Sequence, residues 1–147
     1  MLQRGMIGPG LQSDEIGNAL IVLDLSGSIG RTERSQQLGE IFGILDRYDV
    51  NLTLATADTE FYMVGQWDRG DLPDPAEMEF KGGGGTSLER LVPWVAENGL
   101  RPRFCVYLSD GFLDDWGEEP DFPVLVGILP GGTASYVPSW AQVIKIQ

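Results

Sequence analysis

Apolar and polar positions along the chain fall into three kinds of run. "ALIVLDL" (19–25) and "PVLVGILP" (123–130) are continuously apolar, the pattern of strands in a parallel sheet covered on both faces. "RFCVYLSDGF" (103–112) reads as a third buried strand, one that ends in polar residues. Between Ile29 and Val50, apolar Leu38, Ile41, Phe42 and Leu45 recur at helical spacing and predict an amphipathic helix. Val50, Leu52 and Leu54 then alternate with polar neighbours, the pattern breaks at Asp58, and it resumes in "FYMVGQW". That reads as two strands joined by a tight turn, an antiparallel hairpin at the sheet edge.

The remaining stretches connect or close these elements. Residues 68–80, with two prolines and many carboxylates, predict a surface excursion. "KGGGGTSLERLVPWVAENG" sets four glycines ahead of Thr86 and then a helix to about Asn98, kinked in its last turns by Pro93. "AQVIKIQ" is the last strand. Residues 1–17, rich in Gly and polar residues without periodicity, read as a flexible leader, leaving 18–147 as one domain. Strands alternating with helices predict a three-layer α/β fold with a mostly parallel central sheet, an antiparallel edge hairpin and helices on both faces. In such folds ligands gather at the carboxyl ends of the strands.

Composition narrows the function. A chain of 147 residues with 42% hydrophobic and 22% charged residues suits one folded domain. Its 22 acidic against 10 basic residues give a net charge of -12. That charge repels phosphate backbones and anionic membranes, so nucleic acid and membrane are excluded as expected partners and cations or basic surfaces favoured. The apolar runs are too short to span a bilayer and the first residues lack a signal-peptide core, which makes the cytoplasm the expected location. The single cysteine, Cys105, rules out an internal disulfide and reads as a small core residue. Histidine is absent, removing the usual general base, the usual zinc ligand and any HExxH helix. The expectation is a binding domain, not an enzyme.

The candidate chemistry lies where the apolar strands end. Asp24, Ser26 and Ser28 stand at alternate positions, and alternate residues at a strand end can face one point. Thr86 after the glycine run and Asp110 in "LSDG" add two more oxygens. An all-oxygen set of two carboxylates and three hydroxyls suits a hard divalent cation, Mg²⁺ first, with Mn²⁺ or Ca²⁺ as alternatives. Hydroxyls neutralise less charge than carboxylates, so such a site keeps its ion electrophilic and open to an acidic group from another molecule.

These residues resemble a known pattern. "DLSGS" is similar to the DxSxS element of the metal-ion-dependent adhesion site (MIDAS) of von Willebrand factor A (VWA) domains, with Thr86 and Asp110 resembling the second and third loop ligands. "IVLDLSGSI", "TADTEF", "KGGGGTSLERLV", "FCVYLSDGF", "PVLVGILPGG" and "AQVIKI" follow in the order of the bacterial VWA-like domain that stands behind a metallopeptidase-like domain. The resemblance implies a Rossmann-like VWA fold and direct ligation by Ser26 and Ser28. Asp24 would act largely through water or a hydrogen bond, and Thr86 and Asp110 would complete the set. It also implies a protein partner offering Asp or Glu, either a MoxR-type AAA+ ATPase or the metallopeptidase-like domain itself. Two departures stand out: no histidine-bearing upstream domain is present, so the chain is either a fragment or free-standing, and it ends on its final strand without the closing helix common in extracellular VWA domains.

Bland readings stand beside each of these. Asp24 and the serines are also suited to capping the following helix, and a decayed site would leave a structural scaffold. "GGGGTS" lacks the lysine of a P-loop. The acidic run Asp110, Asp114, Asp115, Glu118, Glu119 and Asp121 reads as a solvated loop ahead of a second cation site. Asp58 reads as a turn residue or a rim group. Trp67, Trp94, Trp116 and Trp140 read as core or loop anchors, Trp116 also as an exposed contact. The rival function is a haloacid-dehalogenase-like Mg²⁺-dependent phosphohydrolase, because "DGFLDD" resembles that family's acidic loop. Ser26 stands where such chemistry needs a second Asp as general acid.

Overall fold

A computed structural model describes residues 18–24, 31–47, 50–58, 60–68, 70–75, 87–113 and 115–146, with residues 31–34 as backbone alone. The segment expected as a leader, the glycine run with Thr86, and both serines of the DxSxS stretch lie outside the described residues. The elements are β1 (Asn18–Asp24), α1 (Arg31–Asp46), β2 (Asn51–Ala57), β3 (Phe61–Trp67), α2 (Leu91–Glu97), β4 (Phe104–Ser109), β5 (Val124–Ile128) and β6 (Gln142–Lys145). They form one sheet in the order β3-β2-β1-β4-β5-β6. Every neighbouring pair is parallel except β2–β3, the edge hairpin that the alternating pattern predicts.

Burial follows from the side-chain period of two. On β1, Leu20 and Val22 face one side with Cys105 and Tyr107 of β4, packed under Leu91, Trp94 and Val95 of α2. Ala19, Ile21 and Leu23 face the other side with Val106 and Leu108, under Leu38, Phe42 and Leu45 of α1. Both faces are covered at the centre, which is why the central strands read as unbroken apolar runs. The fold is therefore three-layer α/β, as the sequence pattern predicts.

The layers are unequal toward β6. The β4–β5 connection packs Leu113, Trp116 and Phe122 onto the α2 face, and the β5–β6 connection packs Ala134, Val137 and Trp140 there too. On the α1 face no described segment covers β5 and β6. A groove of about 760 Å³ remains there, walled by Ile41, Ile44 and Leu45 and floored by Val106, Leu125 and Ile144. It lies on the opposite side of the sheet from the polar residues described below.

Two expectations change. The second helix covers only Leu91–Glu97, and Pro93 stands in its first turn. The first backbone N–H groups of a helix have no partner within it, so proline there removes no hydrogen bond and introduces no kink. Trp116 is no exposed contact: it is buried, stands edge-on to Tyr107 with ring centroids 5.9 Å apart, and donates its indole N–H to the Leu113 carbonyl at 3.1 Å.

The core makes two predictions. Leu38→Ala, at a fully enclosed position, should lose about 3 kcal/mol in urea unfolding, whereas Ile44→Ala, at a position 52% exposed, should change stability by less than about 0.5 kcal/mol. The second concerns alkaline pH. Burial pushes the Cys105 thiol from 9.0 up to about 12, so across that window the unfolded chain has released a proton that the folded chain keeps. The Cys105 contribution should be level below about pH 9 and be lost above it, and Cys105→Ala should lessen the alkaline fall in urea melts, leaving the part due to the buried Tyr107 phenol.

Candidate functional site

The two central strands end side by side. The register that pairs Leu23 with Leu108, carried one residue further, sets Asp24 beside Ser109. Both continue the faces of Val22 and Tyr107, so both side chains project to the α2 side. Ser109 Oγ donates to Asp24 Oδ2 at 2.6 Å and accepts the Gly111 N–H at 2.9 Å. Asp24 is only 5% exposed and Ser109 fully enclosed. A buried carboxylate needs such partners, and the short distance is that of a charge-assisted hydrogen bond.

The turn after β4 is fixed by close backbone packing. Gly111 has φ +84°, and a Cβ there would run into the Thr133 carbonyl, so glycine is required on both counts. The Thr133 N–H donates to the Asp110 carbonyl at 2.8 Å, and the Leu129 N–H to the Ser109 carbonyl at 2.9 Å. Gly132 lies so near Asp110 that a side chain there would meet its backbone. Asp110, half-buried, accepts the Phe112 N–H on Oδ1 at 3.0 Å. Beyond it Phe112 and Tyr136, 58% and 54% exposed, pair their rings 6.4 Å apart.

A third segment reaches the same end of the sheet. Asp58 closes the β2–β3 turn, its Oδ1 accepting the Glu60 N–H at 2.8 Å, and it is buried, in keeping with the turn-residue reading. Its carbonyl accepts the Ser87 N–H at 3.0 Å, and the Leu88 N–H donates to the Asp115 carbonyl at 2.9 Å. The chain that follows Thr86 is thus tied between the end of β2 and the loop after β4.

Of the five predicted ligands, Asp24 and Asp110 belong to adjacent strand ends, Asp24 bonded directly to the residue before Asp110. Ser26, Ser28 and Thr86 lie outside the described residues. Among the described residues no three Asp, Glu or Cys side chains gather closely enough to hold a metal, so a site here depends on hydroxyls beside the two carboxylates. Asp115, Glu118, Glu119 and Asp121 of the acidic run are exposed, and Asp115 Oδ1 accepts the Gly117 N–H of its own turn at 3.0 Å.

Two residues without an assigned role in the sequence pattern belong to the site. Ser109 stands at the strand end and is the carboxylate's partner. Tyr107, two positions earlier on the same face, is fully enclosed and its hydroxyl has no hydrogen-bond partner among the described residues. Burial, with the Asp24 charge beside it, pushes the Tyr107 phenol well above its ordinary value; Ser109 pulls the other way and Asp110 adds to the rise. A lone tyrosine in an aliphatic strand, in step with Ser109, was the signal for it.

The family described as VWA-like domain (DUF2201) matches residues 19–147. Among solved structures, the chain is similar to the ArnB paralog VWA2 from Sulfolobus acidocaldarius at 14% identity and a TM-score of 0.51, over 76% of this chain and 34% of that one. It therefore spans about a third of the length of VWA2, and the likeness is one of fold. The conserved hypothetical protein BatB from Bacteroides thetaiotaomicron aligns at 12% identity and a TM-score of 0.49, over 77% of this chain and 66% of that one. No curated protein sequence matches the chain. Among the described residues no helix is long and apolar enough to cross a membrane.

Ser109→Ala would strip the buried Asp24 carboxylate of a donor and leave the Gly111 N–H without an acceptor. It should cost about 3 kcal/mol, read as a lowered urea midpoint with an unchanged slope.

Proposed function

Since the chain belongs to the VWA-like domain (DUF2201) family, we propose that it is a non-catalytic protein-binding module built around a divalent cation. In this reading Asp24, Ser26, Ser28, Thr86 and Asp110 hold Mg²⁺, the serines directly and Asp24 through water or a hydrogen bond. The bound ion supplies a Lewis-acidic point to which an Asp or Glu of a partner protein adds. The partner classes are a MoxR-type AAA+ ATPase and a metallopeptidase-like domain.

The observation that carries the proposal is the bond from Ser109 to Asp24, which fixes a carboxylate at the carboxyl end of the central strand with Asp110 directly beyond it. Ser87, next after Thr86, is bound to the end of β2 at that same end of the sheet. The donor chemistry fits a hard cation: oxygen only, and more hydroxyl than carboxylate. Phe112 and Tyr136 give a partner an exposed apolar contact beside Asp110, the composition from which interface anchors are drawn. Against phosphohydrolase chemistry stands the same geometry. A nucleophilic carboxylate needs an open approach, and Asp24 is 5% exposed and already bonded to Ser109.

Calorimetric titration with Mg²⁺ tests the reading. One site is expected for the native chain and none for Asp110→Ala, whose stability should stay within about 1 kcal/mol of native because only one turn hydrogen bond is lost. Capture of a partner protein on the immobilised chain should fail in excess EDTA. Capture undiminished by EDTA, or a native chain that takes up no Mg²⁺, would overturn the proposal.

A further inference from the structure

One buried polar group at the site is unused by the fold. The Tyr107 hydroxyl is enclosed and, among the described residues, has no hydrogen-bond partner. Asp24 and Ser109 lie close enough to act on it, yet neither meets it in full hydrogen-bond geometry. Ser109 has no proton left to offer, since its single O–H goes to Asp24 and its oxygen receives the Gly111 N–H. An orphaned buried hydroxyl is rare and unfavourable. Packing does not explain it either. Phenylalanine would keep the edge-on contact with Trp116, whose ring planes meet at 87°, without burying a polar atom.

The hydroxyl does have a role if Asp24 moves on taking up an ion. We propose that Tyr107 is a positioning residue of the metal centre, its O–H donating to the Asp24 carboxylate in the cation-loaded state. This rests on the cation reading given above. A carboxylate has about four acceptor positions, so a second donor can join Ser109. Losing one hydrogen bond from the groups that surround a metal site typically costs about 10- to 100-fold in metal affinity. A phenol is protonated at neutral pH, and it therefore acts as a donor.

The proposal separates two quantities that a purely structural tyrosine would move together. Native chain and Tyr107→Phe are each titrated with Mg²⁺ by calorimetry and each unfolded by urea in EDTA. The variant should bind Mg²⁺ roughly tenfold more weakly, yet be as stable as the native chain, or more so, without metal. Equal Mg²⁺ affinity in the two proteins overturns the role of Tyr107 and leaves the cation reading intact. A variant that loses stability in EDTA also overturns it, because the hydroxyl would then be holding the fold. No Mg²⁺ uptake by the native chain overturns the cation reading itself, and this proposal with it.

Discussion

The Ser109 hydroxyl, giving its proton to Asp24 across 2.6 Å and taking one from the Gly111 amide, is the contact on which the polar end of this molecule depends. It gives a donor to a carboxylate that sits 5% exposed at the end of the central strand, where a buried charge needs hydrogen-bond partners. It also sets the turn at Gly111, and with it the position of Asp110. From there the constraint passes through backbone to the 129–133 loop, where Thr133 and Leu129 bond back to Asp110 and Ser109. Two loop tips are thereby held to one geometry by main-chain contacts, with Phe112 and Tyr136 exposed on them.

The same architecture keeps the apolar core and the polar strand ends apart. Apolar side chains of β1, β2 and β4 are sealed between α1 and α2, and the polar residues appear only where the strands leave the sheet. The groove of about 760 Å³ beside α1 is apolar and lies across the sheet from Asp24, so its size is unrelated to the ion chemistry proposed. It exists because both late crossovers pack onto the α2 face. The chain's net charge of -12 suits a domain that meets cations and basic surfaces.

Much of this was legible in the residues alone. The unbroken apolar run at 19–25 gave a buried parallel strand because both faces there are covered, whereas 123–130 is as apolar although its α1 face borders the open groove; the break at Asp58 gave the edge hairpin, whose second strand is half in solvent. The spacing of Leu38, Phe42 and Leu45 gave the face of α1. What the pattern could not give was contact across strands. Ser109 reads as one more polar residue at a strand end until the register sets it beside Asp24, 85 positions away. Tyr107 reads as core, and its ring is core; only its hydroxyl, in step with Ser109, belongs to the site. Trp116 is the anchor its residue type suggested and not the exposed contact its acidic neighbours suggested, since a local charge run says nothing about the ring contact with Tyr107. Pro93 was misread as a kink because the helix begins later than its apolar residues suggest.

A binding module of this kind requires that the three loops share one ion. Crystals of the chain grown with Mn²⁺ in place of Mg²⁺ allow the metal to be located by its anomalous scattering. The predicted result is a single strong peak among the oxygens of Ser26, Ser28 and Thr86, with Asp24 and Asp110 around it and the Tyr107 hydroxyl now hydrogen-bonded to Asp24. A peak confined to the acidic stretch 114–121, or none at all at saturating Mn²⁺, would contradict it.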